Sequence, residues 1–383
     1  MPLGHYVSEE TFDAEATVAP GSAPSEKYLN ASQGQIIWWR FQRHRIAYFA
    51  LWFLALSYGS ILITEFLAPY ALHSRHTDFI FAPPQRVHLL HEGSLVGPFV
   101  YPFQYRLDME TLERVYTPDR TRPQPIRFFC SGEPYKFWGL FDADFHLVCP
   151  PEGGTLFLLG TDRLGRDMLS RLLYGGRISL TIGLVGVTLS YVIGITIGGM
   201  AGYFGGLFDS IVQRITEVLR SIPELPLWMA LSAALPVTWD PRIIYFGITI
   251  IFALLDWPGI ARAVRSKLFA LREEDYVAAA EMMGAKPSRI IGRHLVPNFT
   301  SHLIASASLS IPSMILAETA LSFLGLGLRP PITSWGVLLS EAQNIEAVAL
   351  YPWLLLPMLP VMATVLAFSF LGDGLRDAID PHE

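Results

Sequence analysis

The chain has 383 residues, of which 51% are hydrophobic and 16% charged, with a formal net charge of −6. A soluble domain carries about 25% charged residues, so this composition, with a mean hydropathy of +0.36, excludes a set of soluble domains and describes a helix bundle in lipid. The acidic balance argues against nucleic acid as a partner.

Residues 1–30 hold Glu9, Glu10, Asp13 and Glu15 and no apolar core, so they read as a disordered tail and not as a cleavable signal peptide. Arg40, Arg43 and Arg45 then precede the first apolar run with no acid nearby, which places a tail of 1–45 in the cytoplasm. The run 46–67 is about 33 Å long as a helix, enough for a first transmembrane span.

Residues 68–177 are polar, Pro-rich and aromatic, and form the external (periplasmic) part of the chain. Alternating stretches at 126–130 and 135–140 predict short strands, hence a small folded lobe. It contains both cysteines, Cys130 and Cys149. In an oxidising compartment a disulfide between them is favoured, worth about 3 kcal/mol, and two buried thiols are the alternative. His73, His76, His88 and His91 form two H-x-x-H pairs. No carboxylate or cysteine completes a ligand spacing, so they read as surface histidines and no metal site is assigned.

In 159–177, Leu164, Met168 and Leu172 recur every four residues, and Asp162/Arg166, Arg163/Asp167 and Asp167/Arg171 can pair at the same spacing. The expectation is an amphipathic helix on the external interface. It would serve either as an anchor or as a contact for an external partner through Asp162, Arg163, Arg166 and Asp167.

The second span, 178–203, is rich in glycines that let helices approach closely. A third, near 211–235, carries Arg214, Glu217 and Arg220 ahead of Ser221-Ile222-Pro223-Glu224-Leu225-Pro226. The prolines should kink or break it, and the charges have either a gating or an ion-pairing role. A fourth, 243–261, leads to a polar loop, 262–298, with seven Lys or Arg against four acids, which places that loop in the cytoplasm. Within it a short helix should start near Asp275 and end at Gly284 in a left-handed cap. A second should start at Pro287 and stop before Pro297. Both are too short to stand alone in water and need a packing partner.

The fifth span, 299–326, contains Ser306, Ser308, Ser310, Pro312, Ser313, Glu318 and Ser322, which suits a helix lining a cavity. A sixth span, 347–371, leads to a cytoplasmic tail, 373–383. The fold class is therefore an all-α polytopic membrane protein of six transmembrane helices, with a five-helix core at 178–372 and a small external lobe of short strands after the first span. None of the four lysines follows a glycine, so there is no Walker A site for ATP, and neither H-E-x-x-H nor G-x-S-x-G occurs. The chain does not read as an enzyme.

The stretch 276–285, YVAAAEMMGA, followed by RHLVPN at 293–298, resembles the coupling loop, or EAA motif, of ABC importer permeases. The segments LGTDRLGRD (159–167), ETALSFLGLG (318–327) and LGDGLRD (371–377) resemble the dipeptide and oligopeptide branch, specifically its C-type permease. The resemblance implies a type I importer permease in a bacterial inner membrane, with both termini cytoplasmic and half of a translocation pathway for peptides or a similar solute. Implied partners are a second homologous permease, two ATP-binding subunits that hold the ATP and magnesium, a periplasmic solute-binding protein and the lipid bilayer. No cofactor is expected on this chain.

Carried over, Ala279, Ala280 and Gly284 match the motif, and Ala278 stands where its glutamate would be, with Glu281 three residues later. Ala285 and Pro297 belong to the same loop. Arg289 and Arg293 pair with acids of the ATPase or anchor the loop at the membrane surface. Ser310, Pro312 as a hinge, Glu318 and Ser322 are the expected pathway residues. A channel or secondary carrier working without ATP is the competing class.

Overall fold

The computed structural model describes residues 32–110, 113–236, 238–343 and 345–379. The expected tail at 1–30 lies outside these. The rest of the 1–45 segment is not a tail: helix α1 (Gln33–Arg43) opens with a capping box in which Ser32 and Gln35 satisfy each other's backbone N–H groups. The His44 ring then accepts the Ala47 N–H at 3.2 Å to start α2 (Arg45–Leu62), and one further turn, α3 (Thr64–Leu67), completes the apolar run.

The segment expected to be external contains the expected strands, which among the described residues form three small antiparallel sheets. β1 (His88–His91), β2 (Ser94–Val100) and β5 (Gln124–Pro125) form one, with β2 central. β3 (Phe103–Leu107) pairs with β4 (Arg114–Pro118), and β6 (Arg127–Phe137) pairs with β7 (Phe141–Cys149) from Arg127↔Cys149 to Phe137↔Phe141. Cys130 and Cys149 are disulfide-bonded across that last hairpin. Side chains tie the lobe to the bundle. The Trp138 indole donates to the Leu62 carbonyl at 2.9 Å, His146 Nδ1 bonds the Ala68 carbonyl at 2.7 Å, and Arg177 holds Glu65 with two bonds of 2.7 and 2.6 Å. His88 and His91 pack on Phe99 and Tyr101, and His76 packs on Tyr70 and Phe157.

The amphipathic helix expected over 159–177 is not formed. Residues 161–167 make a loop closed by a bridge between Thr161 and Asp167, and Asp167 caps α4 (Met168–Phe204), accepting the Ser170 N–H at 2.7 Å. The four-residue spacing read as helix is real from Met168 on, but it belongs to the first turns of the second span.

Among the described residues, five helical stretches are long and apolar enough to cross a membrane: Arg45–Leu62, Met168–Phe204, Pro241–Leu271, Pro287–Phe323 and Pro352–Ile379. The third span is interrupted at its prolines, as expected. It is broken at Ile222–Pro223 into α5 (Gly206–Ser221) and α6 (Glu224–Ala233). The pair still crosses, because α4 and α7 (Pro241–Leu271) run parallel. Thr181 meets Tyr245 (3.0 Å), Ser190 meets Asp256 (2.8 Å), and a methyl at Gly194 or Gly202 would lie 2.7 Å from Ile260 or Arg265. Two parallel spans joined in sequence require the connecting chain to return through the full thickness. The α5–α6 pair does so alongside α7: Asp209 binds Arg265, Trp228 packs on Phe252, and Leu235 lies against Gly247. Six crossings result.

After α7 come α8 (Asp275–Met282) and one turn, α9 (Pro287–Arg289). The helix from Pro287 does not stop before Pro297. It widens into a π segment, Ile290–Leu295, tightens into a 3₁₀ turn, Val296–Phe299, and continues as α10 (Thr300–Phe323). A proline ring clashes with the carbonyl four residues back, here Arg293, and the widened turn displaces that carbonyl. α10 packs antiparallel to α4. α11 (Trp335–Ser340) and α12 (Ile345–Leu350) follow, and α13 (Met358–Ile379) returns to the α1–α2 corner, where His44 lies 4.0 Å from Asp377. The ends of the described chain therefore share one face of the bundle with the 262–298 loop.

Candidate functional site

The 262–298 loop contains a short helix with a fixed end, α8. At its C-terminus the Gly284 N–H donates to the Glu281 carbonyl (2.8 Å) and the Ala285 N–H to the Ala280 carbonyl (3.0 Å), with Gly284 at φ 77°. These are the 5→2 and 6→1 bonds of a Schellman cap, which needs a residue tolerant of the left-handed region. Val277 and Ala280 are buried and anchor α8 against Ile290 and Leu295. The opposite face, with Ala279, Glu281, Gly284, Arg289, Arg293 and Pro297, is exposed, and Ala285 is half-buried. Glu281 accepts from the Tyr203 hydroxyl at 2.7 Å, which ties the loop to the end of α4. Arg289 and Arg293 make no ion pair among the described residues.

Sequence reasoning missed the most exposed apolar residues of this loop. Met282 and Met283 are 89% and 81% exposed at the tip of α8, beyond the ends of the spans. Two adjacent methionines following the alanines were the available signal, since this side chain adapts to a partner's surface.

The expected pathway residues are placed differently from expectation. Pro312, Glu318 and Ser322 lie buried inside the chain's own packing, so they do not line an open cavity here, and Ser310 is half-buried. The Glu318 carboxylate accepts from Ser179 Oγ (3.0 Å) and Ser322 Oγ (2.8 Å), and Ser179 also takes the Trp335 N–H (3.1 Å). The cluster joins α4, α10 and α11. Ser310 meets the Tyr191 hydroxyl at 3.3 Å near the bundle's midplane. Glu318 and Ser310 mark helix-helix contacts, because in lipid a hydroxyl or carboxylate finds partners on neighbouring helices, whereas Ser308 bonds the Ile304 carbonyl of its own helix and Ser313 is exposed.

A second feature was missed. Asp256 sits at the centre of α7, inside the run read as a plain fourth span, and it is exposed on the surface of the chain with Ser190 Oγ as its hydrogen-bond partner at 2.8 Å. A lone acid in an apolar run was the signal. A charge at the bilayer centre costs about 2.5–3.5 kcal/mol, so such a face does not meet lipid tails.

The expected external contact is also corrected. Asp162, Arg166 and Asp167 are buried, and of the four residues proposed only Arg163 is exposed. Asp162 instead holds Arg166 (2.6 Å) and Arg171, and both arginines reach across to Glu341, at 3.1 and 2.9 Å. The cluster closes two acids on two bases and clamps the loop before α4 to the end of α11. Beside it, burial pushes the Asp167 carboxyl up to about 7, against the Ser170 N–H and hydroxyl that favour its charge.

Residues 194–383 match the family described as binding-protein-dependent transport system inner membrane component, and residues 32–84 match the N-terminal transmembrane domain of oligopeptide transport permease C. The chain is 39% identical over 232 residues to the dipeptide transport system permease protein DppC of Bacillus subtilis, covering 61% of this chain and 70% of the relative. It is 38% identical over 248 residues to the oligopeptide transport system permease protein OppC of the same organism, covering 64% and 77%. With the DppC of Lactococcus lactis subsp. cremoris the match is 30% over 365 residues, 94% of this chain and 95% of the relative. The solved methionine ABC transporter in inward-facing conformations superposes at a TM-score of 0.43 with 20% identity, over 56% of this chain and 98% of that one.

Proposed function

This chain belongs to the binding-protein-dependent transport inner-membrane components, in the dipeptide and oligopeptide permease branch, and we propose that α8 is the point where ATP-driven motion enters it. It is a transmembrane subunit of an ATP-driven importer, embedded in the membrane by multiple spans. Peptides are its cargo by its relatives' description, and it supplies half of an alternating-access pathway, with a second, homologous permease supplying the other half.

We infer that one of two ATP-binding subunits receives α8 through Ala279, Met282 and Met283, with Gly284 and Ala285 fixing the angle of the helix and Arg289 and Arg293 meeting acids at the rim. ATP and magnesium reside in those subunits. The 262–298 loop and both termini then face the cytoplasm, the lobe faces the periplasm, and a solute-binding protein delivers cargo there. The observation that carries this reading is the capped, exposed α8 tip: two nearly bare methionines outside the spans, on a helix too short to be stable without a neighbour.

Cys130 and Cys149 are the only cysteines and are bonded to each other, so Met283→Cys introduces a unique thiol. Photo-crosslinking from that thiol in native membranes should trap an ATP-binding subunit. Trapping only lipid, or nothing, would defeat the assignment of α8.

A further inference from the structure

The charges at mid-depth of the bundle are not consumed by its own packing. Arg214 and Glu217 pair with each other on α5 at 2.9 Å. Arg220, Glu224 and Asp256, by contrast, are exposed and make no ion pair among the described residues.

All three lie at one level. The Arg220 guanidinium is 3.5 Å from where a methyl on Gly259 would be, and Gly259 follows Asp256 by three residues, on the same helix face. Trp228 sits against Phe252, so residues 220–228 pass residues 259–252 and the break at Ile222–Pro223 falls beside Asp256. The break adds backbone polarity at that level. The last carbonyls of α5 have no continuing helix, residues 221–226 are exposed, and Pro258, inside α7, leaves the Leu254 carbonyl without its i+4 donor. Unpaired backbone at membrane depth persists only where protein buries it or water reaches it.

We propose that Arg220, Glu224 and Asp256, with the α5–α6 break, form a hydrated mid-membrane subsite for the charged termini of a short zwitterionic peptide. Arg220 receives the carboxylate, and Asp256 and Glu224 receive the ammonium. The proposal rests on the importer reading above and adds to it where within this chain the cargo is held and by which groups. Its chemistry follows from the side chains: a guanidinium and two carboxylates at one depth match a ligand with one charge of each sign, whereas an apolar solute would gain nothing from them. The broken crossing suits the role, because two helix ends meeting mid-membrane can separate without disturbing the long spans on either side.

The test uses the assembled transporter with Ser221→Cys, which adds the one free thiol of this chain, and labelling is read on this chain after the subunits are separated. A charged methanethiosulfonate reagent should label it, and saturating alanyl-alanine should slow labelling about 5-fold or more. Wild type should import alanyl-alanine in preference to its N-acetyl analogue. Asp256→Asn and Glu224→Gln should cut alanyl-alanine uptake about 10-fold and erase that preference, Asp256→Glu should restore it, and Arg220→Gln should erase the preference for a free over an amidated C-terminus. Refusal of the charged reagent by Ser221→Cys in the assembled transporter overturns the subsite, including the case in which the thiol reacts only in the isolated chain and a second permease covers it. So does wild-type uptake and preference in all three neutral variants. Failure of the wild type to import any peptide defeats the importer reading instead, and the labelling result stands apart from it.

Discussion

The Ala285 N–H donates to the Ala280 carbonyl at 3.0 Å, so the turn after α8 folds back on the alanine that anchors the helix to the bundle. That bond exists because Gly284 occupies the left-handed region, and it sets the direction in which the exposed tip of α8 points.

Substitution at Gly284 should therefore act through conformation alone, since nothing lies within 4 Å of an added methyl. A β-branched residue there costs about 1–2 kcal/mol or more. Gly284→Val should lower uptake at least 10-fold at unchanged chain abundance, with Gly284→Asn retaining most of it, as measured by transport assays on matched membranes.

Met282→Asp with Met283→Asp should leave the fold intact, because both side chains project outward, and should abolish copurification of the ATP-binding subunits. Thermal stability of the isolated chain should shift by less than about 0.5 kcal/mol equivalent, the usual range for exposed positions.

Glu341→Ala strands Arg166 and Arg171 against one remaining acid in a buried site. Removing one partner of a buried pair costs about 3–5 kcal/mol. A marked fall in midpoint temperature is expected in detergent, and Glu341→Asp should recover part of it.

Asp167 gives a pH dependence of known sign. Its folded pKa, about 7, lies above the ordinary value of about 3.9, so the folded state binds more protons than the unfolded state between those limits. Its contribution to stability is present at low pH and is lost as pH rises through 7. Asp167→Asn mimics the protonated form, so thermal scans should show the variant gaining on wild type from pH 5 to pH 8.

The spans and the 262–298 loop were legible in the sequence because each depends on local signals: apolar runs, a glycine after a helical stretch, basic residues near a loop. Gly284 and Pro287 sit where those signals put them. The misread segments depend on tertiary contacts. Asp162/Arg166 and Asp167/Arg171 have helical spacing, yet Arg166 and Arg171 also bind Glu341, 175 and 170 residues away, a tertiary contact that local spacing does not reveal. Pro297 has a local reputation for stopping helices, but a widened π turn accommodates it. Glu318 and Ser322 looked like pore linings because polarity in a span marks a protein-facing side, and sequence alone does not say which protein. Asp256 carried the same signal and faces outward.

The most direct measurement is uptake of a radiolabelled dipeptide into vesicles carrying the assembled transporter and its binding protein, with ATP present or absent on the side of the 262–298 loop. Accumulation against a gradient that requires ATP on that side, and that Gly284→Val suppresses, is the expected result. Equal uptake without ATP, or by this chain alone, would contradict it and establish a carrier or channel instead.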